Sequence, residues 1–347
     1  MKTKAAVLYR MGQPAPYSES KPLVVDDVEL SAPQTGEVLI EVAAAGLCHS
    51  DLSVIDGSRP RVMPMLLGHE AAGVVREVGS GVSTAKEGDR VVFSFVPTCG
   101  RCAMCLGGRA AMCEPGSAAN LAGSLLNGAR RLKDSAGRAI NHHLGIAGFS
   151  QFAVAMAESL VPVDRELPLD KAALFGCAVM TGVGAVVNTA KVEAGAAAVV
   201  VGLGGVGLSA ILGARAAAAG PIVAVDRLEA KLATARQCGA THAVNADAPD
   251  VVEQIRAITG GGAHYAFECV GHPAGLSTAY AATRRGGTTV AVGLPSPSLT
   301  YPLTHVSLVS DERTLKGSFM GSCVPQRDVP RFIAMYRAGK LPIDQIH

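Results

Sequence analysis

The sequence predicts an α/β protein in which a doubly wound parallel sheet is joined to a second, mainly β, barrel-like domain. Three observations carry that reading. Up to about Val163 the chain is a succession of short β-like segments separated by Gly, Pro and charged turns. From about Asp170 apolar strand candidates alternate with alanine-rich helical stretches, the pattern of a parallel sheet with helical crossovers. Within that second half the cluster VGLGGVG sits between a strand candidate and a helix candidate. At 347 residues the chain is too long for one ordinary core and suits two domains.

The elements follow in order. EVLIEVAAAG (37–46), AAGVVREVG (71–79) and DRVVFSFV (89–96) read as strands of the first half. In the second half AAAVVVG (196–202) reads as a buried parallel strand, because it is apolar on both faces, and SAILGARAAAA (209–219) as the helix after it. PIVAVD (221–226), HAVN (242–245), HYAFECVG (264–271) and TTVAVGL (288–294) supply further strands, with helices over LEAKLATARQCG (228–239) and VVEQIRAIT (251–259). The spacing of Phe332, Ile333, Met335 and Tyr336 predicts a last helix from Pro330 to Lys340.

Composition narrows the partners. A net charge of +2 and a charged fraction of 17% offer neither a nucleic-acid-binding face nor an acidic disordered tail, which leaves small molecules. The apolar run in Met1–Arg10 is too short for a secretory signal, so a cytoplasmic protein is expected. Ala172–Ala190 and Gly195–Ala214 are each long enough on hydropathy to span a bilayer. The second, however, carries six glycines and the strand–turn–helix pattern of a soluble sheet, so no membrane contact is expected. In a reducing cytosol clustered cysteines are better metal ligands than disulfide partners.

Gly202, Gly204 and Gly207, with Gly205 between them, form GxGxxG after a strand candidate. The first glycine permits the tight turn, the second admits a pyrophosphate to the backbone, and the third lets helix and strand pack closely. Asp226 ends the next strand nineteen residues after Gly207, where a carboxylate accepts from the ribose hydroxyls and repels a 2′-phosphate; NAD rather than NADP is expected. Arg227, immediately adjacent, pulls the other way.

Cys99, Cys102, Cys105 and Cys113, in the loop 99–113, are close enough in sequence for four thiolates to close round one tetrahedral ion. Such a site leaves no position for substrate and is therefore structural; an iron–sulfur cluster is the rival. Cys48, His69 and the distant Cys177 have the composition of an open site, two thiolates and one imidazole, although buried core cysteines and a lone histidine would look the same.

The segments GLCHSD (46–51), LLGHEAAGVV (66–75), the four-cysteine loop, GCAVMTGVGA (176–185) and GLGGVG (202–207) occur in an order and at separations that resemble the zinc-dependent alcohol dehydrogenases of the medium-chain dehydrogenase/reductase superfamily. The resemblance covers essentially the whole chain. It implies a GroES-like catalytic domain over 1–178, a Rossmann NAD-binding domain over 179–319 and a segment, 320–347, that returns to the catalytic domain. It implies two zinc ions per chain: a structural one in the loop 99–113 and a catalytic one on Cys48, His69 and Cys177. Glu70 would be an alternative ligand and Asp51 the residue that orients His69. Ser50 would touch the substrate hydroxyl, and Ser53 stands where many relatives have a relay histidine; His49 or a water chain would replace it.

For the cofactor, the resemblance places His49 near the pyrophosphate and Thr181 and Val206 against the nicotinamide. Lys231 lies near the adenosine ribose, and Val270, Val292 and Ser318 on segments lining the nicotinamide pocket. Gly57, Phe95, Ala118, Leu144 and Leu294 would line the substrate channel, and their mostly small or aliphatic side chains imply a roomy pocket for medium-chain, bulky or aromatic primary alcohols. Glutathione-dependent formaldehyde dehydrogenases are the alternative; they carry acidic residues about where Arg59 and Arg61 stand here, and an arginine near Ser117. A non-catalytic nucleotide-binding member would have lost a zinc ligand, and none is lost. The long stretch from Ser117 to Ile146 implies a homodimer. Close relatives continue beyond the position of His347 with an element returning to the catalytic domain, which implies a truncated sequence or a missing phosphate contact.

Overall fold

The computed structural model describes residues 1–346. They group into two compact units. The first comprises Met1–Cys177 with Val324–Pro330, the second Ala178–Cys323 with Arg331 onward. Of the 320–347 segment, then, only Val324–Pro330 group with the first unit.

Ten strands build the first unit: β1 (Lys2–Leu8), β2 (Leu23–Leu30), β3 (Glu37–Gly46), β4 (Met65–Leu66), β5 (Glu70–Val78), β6 (Arg90–Phe93), β7 (Leu132–Lys133), β8 (Ala139–His142), β9 (Phe152–Met156) and β10 (Leu160–Val163). A closed barrel runs β1-β2-β7-β8-β4, and a five-stranded sheet runs β10-β6-β5-β3-β9. Closure removes the exposed edges that a small sheet would otherwise present. The interior of the barrel is filled by alternate residues, Val7, Val28, Leu30, Leu66, Leu132 and Ile140 among them. β3 coincides with the expected 37–46 strand. The expected 89–96 strand stops at Phe93, where Ser94 N–H turns to Ser159 O at 2.8 Å and the chain leaves the ladder for the cysteine loop.

The second unit holds a six-stranded sheet in the order β13-β12-β11-β14-β15-β16, every neighbour parallel. Its strands are β11 (Ala198–Val201), β12 (Ile222–Asp226), β13 (His242–Asn245), β14 (Ala263–Glu268), β15 (Thr283–Ala291) and β16 (Thr314–Gly317). Val199, Val201, Val223, Val225 and Val244 meet Ile255 and Ala279 of the crossover helices, as β-branched strands and small helical residues should in a doubly wound sheet.

The last helix runs Pro325–Arg337, not Pro330–Lys340. Pro325 takes the first helical position, where a missing N–H costs nothing, and Asp328 Oδ2 reaches back to accept the Val324 N–H at 2.8 Å. That start outweighs Pro330, which the helix absorbs in its interior. Among the described residues no helix is long and apolar enough to cross a membrane.

Candidate active site

The first unit gathers Cys48, His69 and Cys177. Helix His49–Ile55 begins at Cys48 and is pinned by Val54 and Ile55 packing on Leu8, Met65 and Leu67, so Cys48 and Asp51 are held by the same core that holds the strand leading to His69. Gly68 turns the chain there with φ +88, and a Cβ on it would lie 2.5 Å from Phe149 N, a backbone conformation and a clearance that only glycine meets. Cys177 is the last residue before helix Ala178–Gly184.

The donor atoms converge. Cys48 Sγ and Cys177 Sγ are 3.9 Å apart, and Cys177 Sγ is 3.4 Å from His69 Nε2. Zinc–sulfur bonds of about 2.3 Å and zinc–nitrogen bonds of about 2.0 Å at tetrahedral angles require edges of roughly 3.8 Å and 3.6 Å. The other ring nitrogen, His69 Nδ1, stands 3.2 Å from Asp51 Oδ1 and 3.1 Å from Oδ2; since a carboxylate can only accept, Nδ1 carries a proton, which leaves Nε2 as the nitrogen that would bind an ion beside the sulfurs.

Electrostatics agree. A hydrogen bond from the Cys177 thiol pulls Cys48 down to about 4 against the cost of burial, helped by His69 and the Ser50 N–H, while Cys48 and burial raise Cys177. Burial disfavours a His69 imidazolium, but Asp51 and Cys48 together overrule it and push it up to about 10. The pocket therefore demands positive charge between Nε2 and the two sulfurs. A divalent ion there would displace the protons, because metal and proton compete for the same lone pairs. Glu70 opens β5 beside the site, and Gly46 leaves the room its carboxyl occupies: a Cβ on Gly46 would lie 3.1 Å from Glu70 Cδ.

One partner was not foreseen. His143 Nδ1 donates to Asp51 Oδ1 at 2.9 Å, and its ring meets His69 edge-on with centroids 5.4 Å apart. Ninety-two residues separate His143 from Asp51. Only the histidine pair in NHHLG could have drawn attention to it. Phe95 packs edge-on against the same imidazole at 5.7 Å. Ser50 is half-buried on the first turn of helix His49–Ile55, whereas His49 is exposed; Ser53 Oγ donates to His49 O at 2.9 Å and stands 3.4 Å from His49 Nδ1.

The ligand atoms of Cys99, Cys102, Cys105 and Cys113 lie within 4.8 Å of one another, and all nine cysteines are free thiols. Backbone N–H groups aim at the sulfurs: Cys102 N at Cys99 Sγ (3.3 Å), Cys99 N at Cys113 Sγ (3.3 Å) and Gly116 N at Cys113 Sγ (3.4 Å). Donors from Cys105 and Glu114 draw Cys102 down to about 6, while burial pushes Cys105 up to about 12. Four sulfurs served by peptide N–H groups suit a closed tetrahedral site.

In the second unit Gly202 leaves β11 with φ +91, and Gly207 lies so close to Gly202 O that no side chain fits between helix Gly205–Ala216 and the strand. Gly204 faces open space, with nothing within 4 Å of a built Cβ. That is the clearance a pyrophosphate would need above the helix N-terminus. Asp226 Oδ2 accepts from Leu203 N at 2.8 Å and Oδ1 from Leu228 N at 3.1 Å; Lys231 Nζ is 3.8 Å away. Arg227 is engaged elsewhere, with Asp247 at 2.9 Å. Val206 is half-buried on the first turn of the helix, and Thr181 is buried on helix Ala178–Gly184. Val270 N–H is bound to Glu268 Oε1 at 2.7 Å with its side chain exposed, Val292 follows β15, and Ser318 follows β16 with its hydroxyl 2.8 Å from Thr189 Oγ1.

Residues 34–165 match the family described as alcohol dehydrogenase GroES-like domain, and residues 205–338 the family described as zinc-binding dehydrogenase. A Mycobacterium tuberculosis chain named for alcohol dehydrogenase D is 41% identical over 350 residues, covering 100% of this chain and 92% of that one. S-(hydroxymethyl)glutathione dehydrogenase of Paracoccus denitrificans is 38% identical over 353 residues, 99% of this chain and 92% of that one. The crystal structure of benzyl alcohol dehydrogenase from Acinetobacter calcoaceticus superposes with a TM-score of 0.91 at 33% identity, over 99% of this chain and 91% of that one.

Proposed function

The chain belongs to the zinc-dependent alcohol dehydrogenases of the medium-chain dehydrogenase/reductase superfamily, and on that premise we propose that it oxidises a primary alcohol to the aldehyde with NAD, reversibly. The observation that carries the reading is the convergence of Cys48 Sγ, Cys177 Sγ and His69 Nε2, with Asp51 holding the far side of the imidazole. Three donors leave a tetrahedral ion one position for the substrate oxygen.

Cys48, His69 and Cys177 would hold a zinc ion, which would supply the Lewis acidity that lowers the alcohol pKa, and NAD, when bound, would supply the hydride acceptor. The chain does the rest. Cys48 and Cys177 bring two negative charges, and Asp51 fixes the tautomer of His69. Ser50 takes the hydroxyl proton and passes it to solvent by way of water or the exposed His49, since Ser53 has no basic nitrogen. Alcohol and NAD thus give aldehyde, NADH and one proton. Gly202, Gly204, Gly205 and Gly207 admit the pyrophosphate. Asp226, its carboxylate already oriented by two backbone N–H groups, selects the unphosphorylated ribose, and Lys231 flanks it. Thr181, Val206, Val270, Val292 and Ser318 line the nicotinamide. Cys99, Cys102, Cys105 and Cys113 hold a second, structural zinc. We place the enzyme in the cytoplasm as a homodimer.

The small or aliphatic side chains that the resemblance assigns to the substrate channel support medium-chain, bulky or aromatic alcohols, and the benzyl alcohol dehydrogenase likeness points the same way. The Paracoccus relative favours a second reading, oxidation of a glutathione adduct; the acidic residues expected of such enzymes about where Arg59 and Arg61 stand are missing here. A screen of alcohols and S-hydroxymethylglutathione with NAD and NADP, followed at the nicotinamide absorbance, tests both. Turnover of a primary alcohol with NAD is expected, and turnover of the glutathione adduct alone would overturn the first reading.

A further inference from the structure

Arg59 and Arg61 are unexplained charges of the first unit. They stand on the loop between helix His49–Ile55, which carries Asp51, and β4, which leads to His69. The loop backbone is tied down: Arg59 N donates to Ser53 O at 2.8 Å, and Arg61 N lies 3.4 Å from Met11 Sδ. Both side chains are half-buried. One guanidinium nitrogen in each, Arg59 Nη1 and Arg61 Nε, is cut off from solvent and has no hydrogen-bond partner. Among the described residues neither arginine forms an ion pair, whereas other sheltered arginines do: Arg131 meets Glu37 at 2.8 Å and Arg313 meets Asp311 at 3.1 Å.

Two residues apart on one loop, the guanidiniums repel each other: burial makes both easier to deprotonate, and Arg61 adds to this at Arg59. Two like charges sharing a half-buried loop, each with an orphaned donor, are unfavourable unless an anion satisfies them.

We propose that Arg59 and Arg61 form a receptor for a carboxylate carried by the substrate, so that the preferred alcohol is a hydroxy acid whose acidic end lies remote from the hydroxyl. This rests on the dehydrogenase reading above and narrows its substrate class. A phosphate oxyanion of the dinucleotide would satisfy the same donors, and the experiment separates the two.

The experiment uses the full-length, zinc-loaded protein and its Arg59→Gln, Arg61→Gln and Arg61→Lys variants, each checked for an unchanged melting temperature. The quantity read is the kcat/KM for 4-(hydroxymethyl)benzoate relative to benzyl alcohol, with calorimetric dissociation constants for NAD and for benzoate. The ratio should exceed one in the native protein and fall about 10-fold to 100-fold in each glutamine variant, the loss expected of a charge-assisted hydrogen bond, with partial recovery in Arg61→Lys and no change in NAD binding. A ratio that stays within about twofold in both glutamine variants would overturn the proposal, and so would weakened NAD binding at constant ratio, which would give the arginines to the cofactor. If the native protein turns over neither these alcohols nor any in the screen above, the dehydrogenase reading fails on its own; benzoate binding then decides, supporting the receptor if both glutamine variants lose it and overturning it if neither does.

Discussion

His143 Nδ1 donates at 2.9 Å to the Asp51 oxygen that also accepts the Gly68 N–H at 2.9 Å and faces His69 Nδ1 at 3.2 Å. The carboxylate is thereby fixed from two sides, by His143 and the Gly68 N–H, before it fixes His69. Replacing His143 by Phe keeps the ring and removes the donor, and zinc affinity is expected to fall about 10-fold to 100-fold, read as faster zinc release to a chromogenic chelator. His143→Gln, which can still donate, should restore part of the loss. Equal release rates in Phe and native proteins would mean that His143 only fills space.

The cysteine loop gives a separable prediction. With Cys105→Ser the zinc content should fall from about two ions per chain to about one, and the melting temperature should drop, because a closed site contributes its binding energy to folding. Metal analysis after exhaustive dialysis checks it. Two retained ions would show that the loop does not need its fourth sulfur.

Asp226 is held by the N–H groups of Leu203 and Leu228, so its charge is already aimed. Asp226→Asn should keep much of that bonding while removing the repulsion of a 2′-phosphate, narrowing the preference for NAD over NADP by about 10-fold to 100-fold in kcat/KM. Arg227, engaged with Asp247, should matter far less, and Arg227→Ala is expected to leave that ratio within about threefold.

Glu37 supplies the acid limit of the barrel unit. Burial pushes its carboxyl up, but Arg131 at 2.8 Å, Gln34 N at 2.9 Å and Asn127 at 2.8 Å outweigh burial and hold it below its ordinary value of 4.5. A depressed folded-state pKa adds stability that is complete above the ordinary carboxyl range and is lost as pH falls through the folded value. Thermal stability should therefore fall below about pH 4.5 in the native protein. Glu37→Gln should flatten that dependence and cost about 3 kcal/mol at neutral pH, because Arg131 loses its partner. An unaltered acid limb in the variant would contradict the assignment.

Much of this was legible in the chain because local signals carried it. β3, β13 and helix Val251–Thr259 fall on the residues that strand alternation and helical spacing mark, and the glycine turn at Gly202–Gly207 announces itself by what must not be there, a Cβ. The C-terminal helix starts five residues before the Pro330 that apolar spacing marks, because the contact that begins it, Asp328 to Val324, is a side-chain reach that spacing does not encode. His143 was illegible for a different reason. Its partner is on another element, and a histidine that is a support looks in sequence like any other. Arg227 is ambiguous in another way: beside Asp226 it reads as a charge pulling towards a 2′-phosphate, and sequence does not show that its side chain meets Asp247.

Whether Cys48, His69 and Cys177 together hold one catalytic ion is read from cobalt substitution of the native protein and of Cys177→Ser, since thiolate-to-cobalt absorption counts sulfur ligands. Cys177→Ser should lose the thiolate absorption contributed by Cys177, keep the contribution of the loop 99–113, and oxidise no alcohol. An unchanged cobalt spectrum with undiminished turnover would contradict that ligand set.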